Sequence, residues 1–333
     1  MKMRYPALFF IYIMVSACDT GTSFSGNTTT PPPAGGGPLT ITSANAPAAM
    51  TVALRAALDS AGVGDVAGVL GLGTASVGNM NKVSGVEFYS ATLVNAMQKV
   101  PFGPIEQPCL VSGTITISGD LADPLAISFA VGDTLSVFAA DCVDVPGETV
   151  NGTLDYLFTT ITGDILLGPP YRLVFDAVLT NFQVVTSTES GISNGNATVS
   201  VDTTLDPEWS VSITGTQLTI DGPTSSDTIS NYDTTETVDT LVVPTPYTLV
   251  SNGTVDSTDL EGTVDYSTPV MFEGSGEANP STGEFLVMGT NSSVRLIAVD
   301  DVNVRLESDF DGDGVIDETT NTTWDALIAQ AGP

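Results

Sequence analysis

The sequence predicts a mainly β protein, an antiparallel meander that forms a curved sheet, a sandwich or an open barrel, with one or two N-terminal helices. Three observations predict this class. From residue 109 onward, short runs rich in Val, Ile, Thr, Leu and Phe are separated by Gly, Asp, Asn and Pro, as strands are by turns. In runs such as 114–118 and 210–214 every second residue is apolar, which indicates one packed and one wetted face. No helical pattern separates the runs, which argues against parallel strands.

The predicted strands fill a β domain over residues 101–333, and we expect at least about ten of them. They cover residues 111–118, 125–131, 135–139, 153–160, 172–185, 209–220, 237–243, 260–272, 285–289, 294–299 and 302–307. The sequence Gly-Thr-Leu-Asp-Tyr at 152–156 returns as Gly-Thr-Val-Asp-Tyr at 262–266. This echo is either a chance result of glycine preceding a β-branched residue or the trace of two related halves, near 101–190 and 191–307.

Composition and charge exclude several classes of function. The chain has 333 residues, with 39 Asp and Glu, 8 Lys and Arg, no His and a formal net charge of −31, yet 42% of its residues are hydrophobic. This hydrophobicity argues against disorder over most of the chain. The scarcity of cations argues against a nucleic-acid partner, because phosphate binding needs clustered Lys and Arg. The lack of His excludes a Ser-His-Asp triad, a Cys-His pair and a His-ligated zinc site.

The N-terminus predicts an export signal. Lys2 and Arg4 precede an apolar run over 7–15 that is too short to span a bilayer and is typical of a signal peptide. The run closes with Val-Ser-Ala-Cys at 15–18, which resembles a bacterial lipobox. The resemblance implies cleavage after residues 1–17 and lipidation of Cys18, which anchors the protein in the outer membrane or on the periplasmic face of the inner membrane. The alternative is an ordinary secretory signal with a coincidental cysteine.

Two segments separate this signal from the β domain. Residues 18–40 are rich in Thr, Pro and Gly and are predicted to be a tether, because such a composition cannot build a core. Residues 41–100 are predicted to be helical. The first helix covers 45–62, where apolar residues recur every three or four positions between a capping Asn45 and a terminating Gly62. A second helix is predicted over 87–99, a stretch that could also form a strand.

Export also predicts whether the remaining cysteines are oxidised. With Cys18 committed to lipid, Cys109 and Cys142 are left in an oxidising compartment, where disulfides persist. We therefore predict a disulfide between them, and two free, buried thiols are the alternative.

One segment carries the residues of a metal site. Residues 309–318 read Asp-Phe-Asp-Gly-Asp-Gly-Val-Ile-Asp-Glu, and carboxylates at alternate loop positions with a glycine at the sharp bend are typical of a calcium loop. The segment resembles the calcium loops of EF-hand, dockerin and thrombospondin type-3 repeats. The resemblance implies a structural Ca²⁺. Its ligands would be side-chain oxygens of four aspartates and one backbone carbonyl, from Asp309, Asp311, Asp313, Asp317 and Val315.

The segment departs from the EF-hand where the bidentate glutamate should stand, because Thr320 occupies that position. Glu318 or Asp317 would then have to supply the missing oxygens. Carboxylates this close repel one another unless a cation is present. The alternative interpretation is an acidic hairpin turn whose charges face water.

Together these features favour a non-enzymatic binding or structural module of the cell envelope, whose partner would be a protein, a glycan or a lipid. The arrangement is similar to proteobacterial envelope lipoproteins that share a lipobox, a Pro/Gly tether, paired cysteines and a terminal acidic Gly loop, and this resemblance implies no activity. One alternative is a glycan hydrolase, since a pair of carboxylates suffices for that reaction. The other is a lipid or lipoprotein carrier, with the N-terminal helices plugging a curved sheet.

Overall fold

The strands form one antiparallel sheet in a computed structural model of the protein. The structure describes residues 37–65, 104–121, 129–143, 146–163, 169–186, 190–205, 207–276 and 278–330. In this part of the chain, helix α1 (Ala46–Asp65) precedes the sheet and helix α2 (Trp324–Gln330) follows it. The strands are β1 (Ile105–Pro108), β2 (Ser112–Asp120), β3 (Thr134–Val143), β4 (Thr149–Thr162), β5 (Arg172–Val185), β6 (Ser190–Leu205), β7 (Glu208–Asp221), β8 (Ser226–Asp239), β9 (Pro246–Ser257), β10 (Thr263–Ser275), β11 (Thr282–Gly289), β12 (Ser292–Ala298), β13 (Asn303–Asp309) and β14 (Glu318–Thr323).

The order of the strands in space repeats their order along the chain. Each strand pairs with its successor, from β1 to β14, and the pairs are antiparallel. Within the described residues β1 and β14 do not pair with each other, so the sheet has two edges and is not closed. The predicted class, a mainly β antiparallel meander with a helix near the N-terminus, is confirmed.

Helix α1 explains the curvature of the sheet. It contacts six consecutive strands, from β7 to β12, and also contacts α2. Six strands about 4.8 Å apart would be roughly 24 Å wide if the sheet were flat, about twice the diameter of a helix. The sheet must therefore curl around α1. The helix is correspondingly buried on most sides, including Met50, Ala53 and Ala56, as expected for a helix that is largely apolar all round.

The first predicted helix is confirmed, with different ends. Asn45 lies just before α1, but its side-chain oxygen accepts a hydrogen bond from the Thr42 N–H (2.7 Å), while its carbonyl accepts the Ala49 N–H (2.8 Å). The helix continues through Gly62 to Asp65, so the predicted stop was wrong. The second predicted helix, 87–99, lies outside the described residues.

β-Bulges bend the long strands. Asp141, Asn181 and Asn231 have positive φ values of 48°, 48° and 50°, and each lies at a register shift in its ladder. An extra residue of this kind bends a strand and increases its twist. An asparagine on the neighbouring strand stabilises two of them: the Asp141 N–H donates to Asn151 Oδ1 and the Asn181 N–H to Asn194 Oδ1, both at 2.7 Å. The bulges thus help the sheet to coil.

The inner face of the sheet carries two clusters of aromatic rings. Ring centroids within each cluster lie 4.2–6.4 Å apart, and the rings belong to Phe129, Tyr156, Phe158 and Phe175 in the first cluster and to Tyr266, Phe272, Phe285 and Trp324 in the second. The two tyrosines of the sequence echo therefore occupy corresponding inward positions. Its glycines do not correspond, because Gly152 lies within β4 at a φ of 101° whereas Gly262 precedes β10.

Most of the predicted strands are confirmed. Two predictions are wrong in part, and several strands of the structure were not predicted. Residues 237–243 were predicted to be one strand, yet β8 ends at Asp239 and residues 240–244 form an exposed turn. Residues 125–128 lie outside the described residues, and 129–131 lead into a turn rather than forming a strand. Strands β1, β6, β9 and β14 and most of β8 were not predicted.

A disulfide joins Cys109, which follows β1, to Cys142 in β3. This confirms the predicted pairing, and the alternative of two free thiols is wrong. The bond connects the two strands that flank β2, close to the first edge of the sheet. It therefore fixes an edge that consists of only the four residues of β1.

Replacing both Cys109 and Cys142 by serine should lower the free energy of unfolding by about 3–4 kcal/mol, because the unfolded chain regains the entropy of a loop closed over 33 residues. Urea denaturation measures the difference. Reductant should shift the wild-type curve to that of the variant and leave the variant unchanged. A fully reduced wild-type protein that unfolds at its original midpoint would contradict the prediction.

Candidate functional site

The acidic loop joins the last two strands of the sheet. Asp309 ends β13 and Glu318 begins β14, so residues 310–317 form the connection of a hairpin. Asp309 is buried, whereas residues 311–318 are exposed. Because strands rather than helices flank the loop, it is not a true EF-hand.

Hydrogen bonds from its own backbone hold the loop in shape. The carboxylate of Asp309 accepts the N–H groups of Gly312 (2.7 Å) and Gly314 (2.9 Å), one on each oxygen. Asp317 Oδ2 accepts the Phe310 N–H at 2.7 Å, which closes the loop from its other end. Both glycines have positive φ values, 72° and 84°, a conformation that L side chains rarely adopt. The sequence pattern thus specifies a tight loop around the Asp309 carboxylate.

Of the five carboxylates predicted as ligands, three come together and two do not. One oxygen from each of Asp309, Asp311 and Asp317 lies within 4.8 Å of the others. Asp313 is not in this group, and its Oδ1 accepts the Val315 N–H at 2.7 Å. Glu318 is also outside this group, and its backbone pairs with Ser308 in the β13–β14 ladder.

The three grouped carboxylates fit a hard cation. Calcium takes oxygen ligands at about 2.3–2.6 Å, so two oxygens bound to one ion are separated by at most about 5 Å. The spacing of Asp309, Asp311 and Asp317 satisfies this limit. Since Ca²⁺ takes six to eight oxygens, such an ion would still need water or oxygens from elsewhere in the loop.

The acidic loop lies at the end of the sheet where the first described residues pack. The Leu39 N–H donates to the Thr263 carbonyl (2.8 Å), and the Leu39 carbonyl accepts the Thr290 N–H (2.6 Å). The next residue, Asn291, packs its backbone against Gly312, where a side chain would not fit. The segment around Leu39, the β11–β12 turn and the acidic loop are therefore neighbours.

A second polar site was not predicted from the sequence. Arg55 of α1 binds Asp227 of β8 (Nε to Oδ2, 2.9 Å) and Asp259 in the turn after β9 (Nη2 to Oδ2, 3.0 Å). The side chains of Arg55 and Asp227 are only 17% and 5% exposed. Burial alone would lower the pKa of Arg55, but the two carboxylates raise it above its ordinary value. Burial raises the pKa of Asp227, and hydrogen bonding from Ser257 and the charge of Arg55 offset only part of this effect.

A chain of buried hydroxyls is a second link between α1 and the sheet. Ser60 Oγ of α1 donates to the Ala57 carbonyl (2.8 Å) and lies 3.1 Å from Thr234 Oγ1, which lies 2.8 Å from Ser251 Oγ. Because each hydroxyl has one hydrogen to donate, Ser251 donates to Thr234 and Thr234 to Ser60. Burial raises the pKa of the nearby Tyr266 to about 12. These groups position α1 on the sheet.

The predicted lipidation site, Cys18, and the signal over 1–17 lie outside the described residues, as does the tether up to residue 36. In the part of the chain that the structure describes, no helix combines the length and the apolar character needed to cross a membrane.

No protein-family model, curated protein or solved structure matches the chain.

Proposed function

We propose that the protein is a lipid-anchored component of the bacterial cell envelope that acts as a non-enzymatic binding or structural module. One observation carries the proposal: of the three cysteines, Cys109 and Cys142 form a disulfide, and the remaining one, Cys18, ends the lipobox-like tetrapeptide. Disulfides are typical of exported proteins and rare in the cytosol. A lone remaining cysteine directly after an apolar signal is what lipidation requires.

The non-enzymatic part of the proposal rests on the sequence, which has no His and therefore no Ser-His-Asp triad or Cys-His pair. Several shifted pKa values in the described residues have structural causes. Hydrogen bonds from residues two or three positions further along the chain lower the pKa of Asp202 and of Asp300. Burial raises the pKa of Tyr232 and of Tyr247, whose hydroxyls donate to backbone carbonyls at 2.6 and 2.7 Å.

The proposal includes a structural Ca²⁺ in the acidic loop. The spacing of Asp309, Asp311 and Asp317 supports this part. Such an ion would tie the last hairpin together next to the turn at Asn291. Calcium would therefore stabilise the end of the sheet at which the tether joins it.

Replacing Cys18 by alanine should remove the protein from membranes. The wild-type protein, expressed in a bacterium with its native signal, should partition into the detergent phase of a Triton X-114 extraction, because several buried acyl chains anchor a protein firmly. The Cys18→Ala variant should remain in the aqueous phase. The double variant Cys109→Ser and Cys142→Ser is the matched control and should partition like the wild type. A Cys18→Ala protein that still enters the detergent phase would refute the anchor.

Calcium should raise the melting temperature of the wild-type protein. For a dissociation constant of about 10⁻⁴–10⁻³ M, as in extracellular modules, 10 mM calcium should add about 1.4–2.7 kcal/mol of stability, or roughly 3–8 °C, relative to chelator. Asp311→Asn should abolish most of this increase. Its side chain keeps the oxygen that accepts the Asp313 N–H at 3.2 Å, so the loop itself should persist.

The control for the calcium experiment is Asp120→Asn. This variant makes the same change of charge at an exposed residue at the end of β2 and should keep the full increase in melting temperature. If the wild-type protein melts at the same temperature in calcium and in chelator, the loop is an acidic turn only.

A further inference from the structure

The last strand of the sheet, β14, is an open edge. In the described residues it pairs with β13 on one side and with no strand on the other, and it contacts α2. Residues 318–321 are exposed, although they point alternately to both faces of the sheet. Edge strands are commonly protected by shortness, proline, bulges or charge. The other edge, β1, has four residues and ends in Pro108, whereas β14 has six residues, no proline and an unbroken register with β13.

The hydrogen bonds to β13 establish which backbone groups of β14 face outward. The Trp324 N–H donates to the Val302 carbonyl at 3.0 Å. In an antiparallel ladder, hydrogen-bonded and non-hydrogen-bonded pairs alternate, so the pairs Val304–Thr322, Leu306–Thr320 and Ser308–Glu318 continue the hydrogen-bonded series. The backbone N–H and C=O groups of the intervening residues point away from β13. These residues are Thr319, Asn321 and Thr323.

Both ends of β14 are fixed. Before the strand, the Asp317 N–H donates to the Ser308 carbonyl at 2.8 Å. After it, Thr323 Oγ1 accepts the Ala326 N–H at 3.1 Å and caps α2, and the Trp324 side chain is fully buried. An edge that is already extended and fixed loses little conformational entropy on pairing with another strand. The row of outward backbone groups is thus preorganised for strand addition.

The charges around the edge select the kind of strand that it can accept. Glu318 lies at the start of β14, Asp325 lies just past its end, and both are exposed. A second copy of the chain, paired antiparallel across a two-fold axis, would bring Asp325 of one copy towards Glu318 of the other, and such like charges repel. A strand with Lys or Arg at its ends would instead be attracted.

We propose that β14 binds an extended, basic peptide segment as a fifteenth strand of the sheet. Backbone hydrogen bonds to Thr319 and Asn321 supply the affinity, and the acidic residues at both ends of β14 favour basic residues at the ends of the segment. This gives the proposed binding module a class of partner. It depends on neither the lipid anchor nor calcium, so its test can fail while those parts of the proposed function stand.

The test uses the full chain in detergent and the probe peptide Lys-Thr-Val-Thr-Val-Thr-Lys-amide, which carries an uncharged fluorophore on its N-terminus. Fluorescence anisotropy follows the binding. N-methylation of alternate residues of the probe gives two peptides. In one of them the methyl groups face β14, and in the other they face solvent. One methylated probe should bind at least about tenfold more weakly than the parent, since it loses several backbone hydrogen bonds, and the other should bind like the parent. A probe with Glu in place of both Lys residues should also bind more weakly.

Variants of the protein test the same edge. Asn321→Pro removes an outward N–H without removing a hydrogen bond to β13 and should weaken binding of the parent probe by about tenfold. Asn321→Thr keeps that N–H and should bind like the wild type. The proposal is overturned if the two methylated probes bind equally, or if the Glu probe binds as well as the Lys probe. It is also overturned if light scattering shows a wild-type dimer that Asn321→Pro converts to a monomer, because a second copy would then occupy the edge.

Discussion

Replacing Arg55 by methionine should lower the free energy of unfolding at neutral pH by about 3–5 kcal/mol, because it leaves a buried carboxylate without its partner. Asp227 is the residue affected, since its side chain is 5% exposed and Arg55 binds it from α1 across 172 residues of sequence. Methionine retains much of the volume of the arginine stem. The decrease in the free energy of unfolding should therefore reflect the lost charge rather than a cavity. Urea denaturation monitored by circular dichroism measures the loss.

The effect of this substitution should depend on pH. The pKa of Asp227 in the folded protein is already raised by burial, against the opposing charge of Arg55. A carboxyl whose folded pKa is raised contributes its full stability below the unfolded pKa of about 3.9 and loses it as the pH rises through the folded pKa. Without Arg55 the folded pKa should rise further. The deficit relative to the wild type should therefore be small near pH 4 and should widen towards pH 7.

Two further variants test whether the lost stability comes from the buried ion pair or from the removal of any positive charge. Arg172→Met removes a half-exposed arginine whose nearest carboxylate, Asp202, lies 3.8 Å away, and it should cost at most about 0.5 kcal/mol. In the double variant Arg55→Met and Asp227→Asn, much of the lost stability should return, because no buried charge is left. Equal costs for Arg55→Met and Arg172→Met would show that α1 is not held by this ion pair.

Replacing Trp324 by alanine should lower the free energy of unfolding by about 3–5 kcal/mol, the usual cost of emptying a large aromatic site in a core. The indole is fully buried and packs edge-on against Phe272, with ring centroids 5.8 Å apart. Its Nε1–H donates to the carbonyls of Pro280 (3.1 Å) and Asp300 (3.3 Å). Trp324→Phe should cost less, about 1–3 kcal/mol, because it mainly leaves these carbonyls without their donor.

The other tryptophan provides the matched control. Trp209 in β7 is only half-buried, opposite Val238 of β8, and Trp209→Ala should cost about 1 kcal/mol. Thermal and urea unfolding of the two alanine variants make the comparison. If the two substitutions destabilise the protein equally, Trp324 does not join α2 to the core of the sheet.

The fold class could be predicted because the strongest strands alternate strictly. Buried residues occupy every second position throughout β12, over 173–179 of β5 and at Ile115 and Ile117 of β2. This period is visible in the sequence without knowledge of the partners. Strands β6 and β9 were not predicted because polar residues also face inward, such as Ser251, which hydrogen bonds under α1. Both strands also contain Asn-Gly pairs, which usually indicate turns, and in β6 the asparagine stabilises a bulge instead.

A site could be predicted from the sequence where its residues lie close together along the chain, and not where folding brings distant residues together. The acidic loop could be found in the sequence because its carboxylates and glycines lie within ten residues. Which carboxylates come together could not be predicted. Asp311 rather than Asp313 joins Asp309 and Asp317, and this depends on the hydrogen bonds of the folded loop. The disulfide followed from counting cysteines. The Arg55–Asp227 pair gave no local signal, because only the curling of the sheet around α1 brings β8 to Arg55.

The mass of the N-terminal peptide of the mature protein tests the proposed anchor most directly. No Lys or Arg lies between Cys18 and Arg55, so trypsin should release one peptide that begins at Cys18 and ends at Arg55. We expect this peptide to carry the mass of a diacylglyceryl group on the Cys18 thiol and an acyl chain on its amine. A peptide that begins at Tyr5, or one that begins at Cys18 with an unmodified thiol, would contradict the proposal that the protein is held in the envelope by lipid.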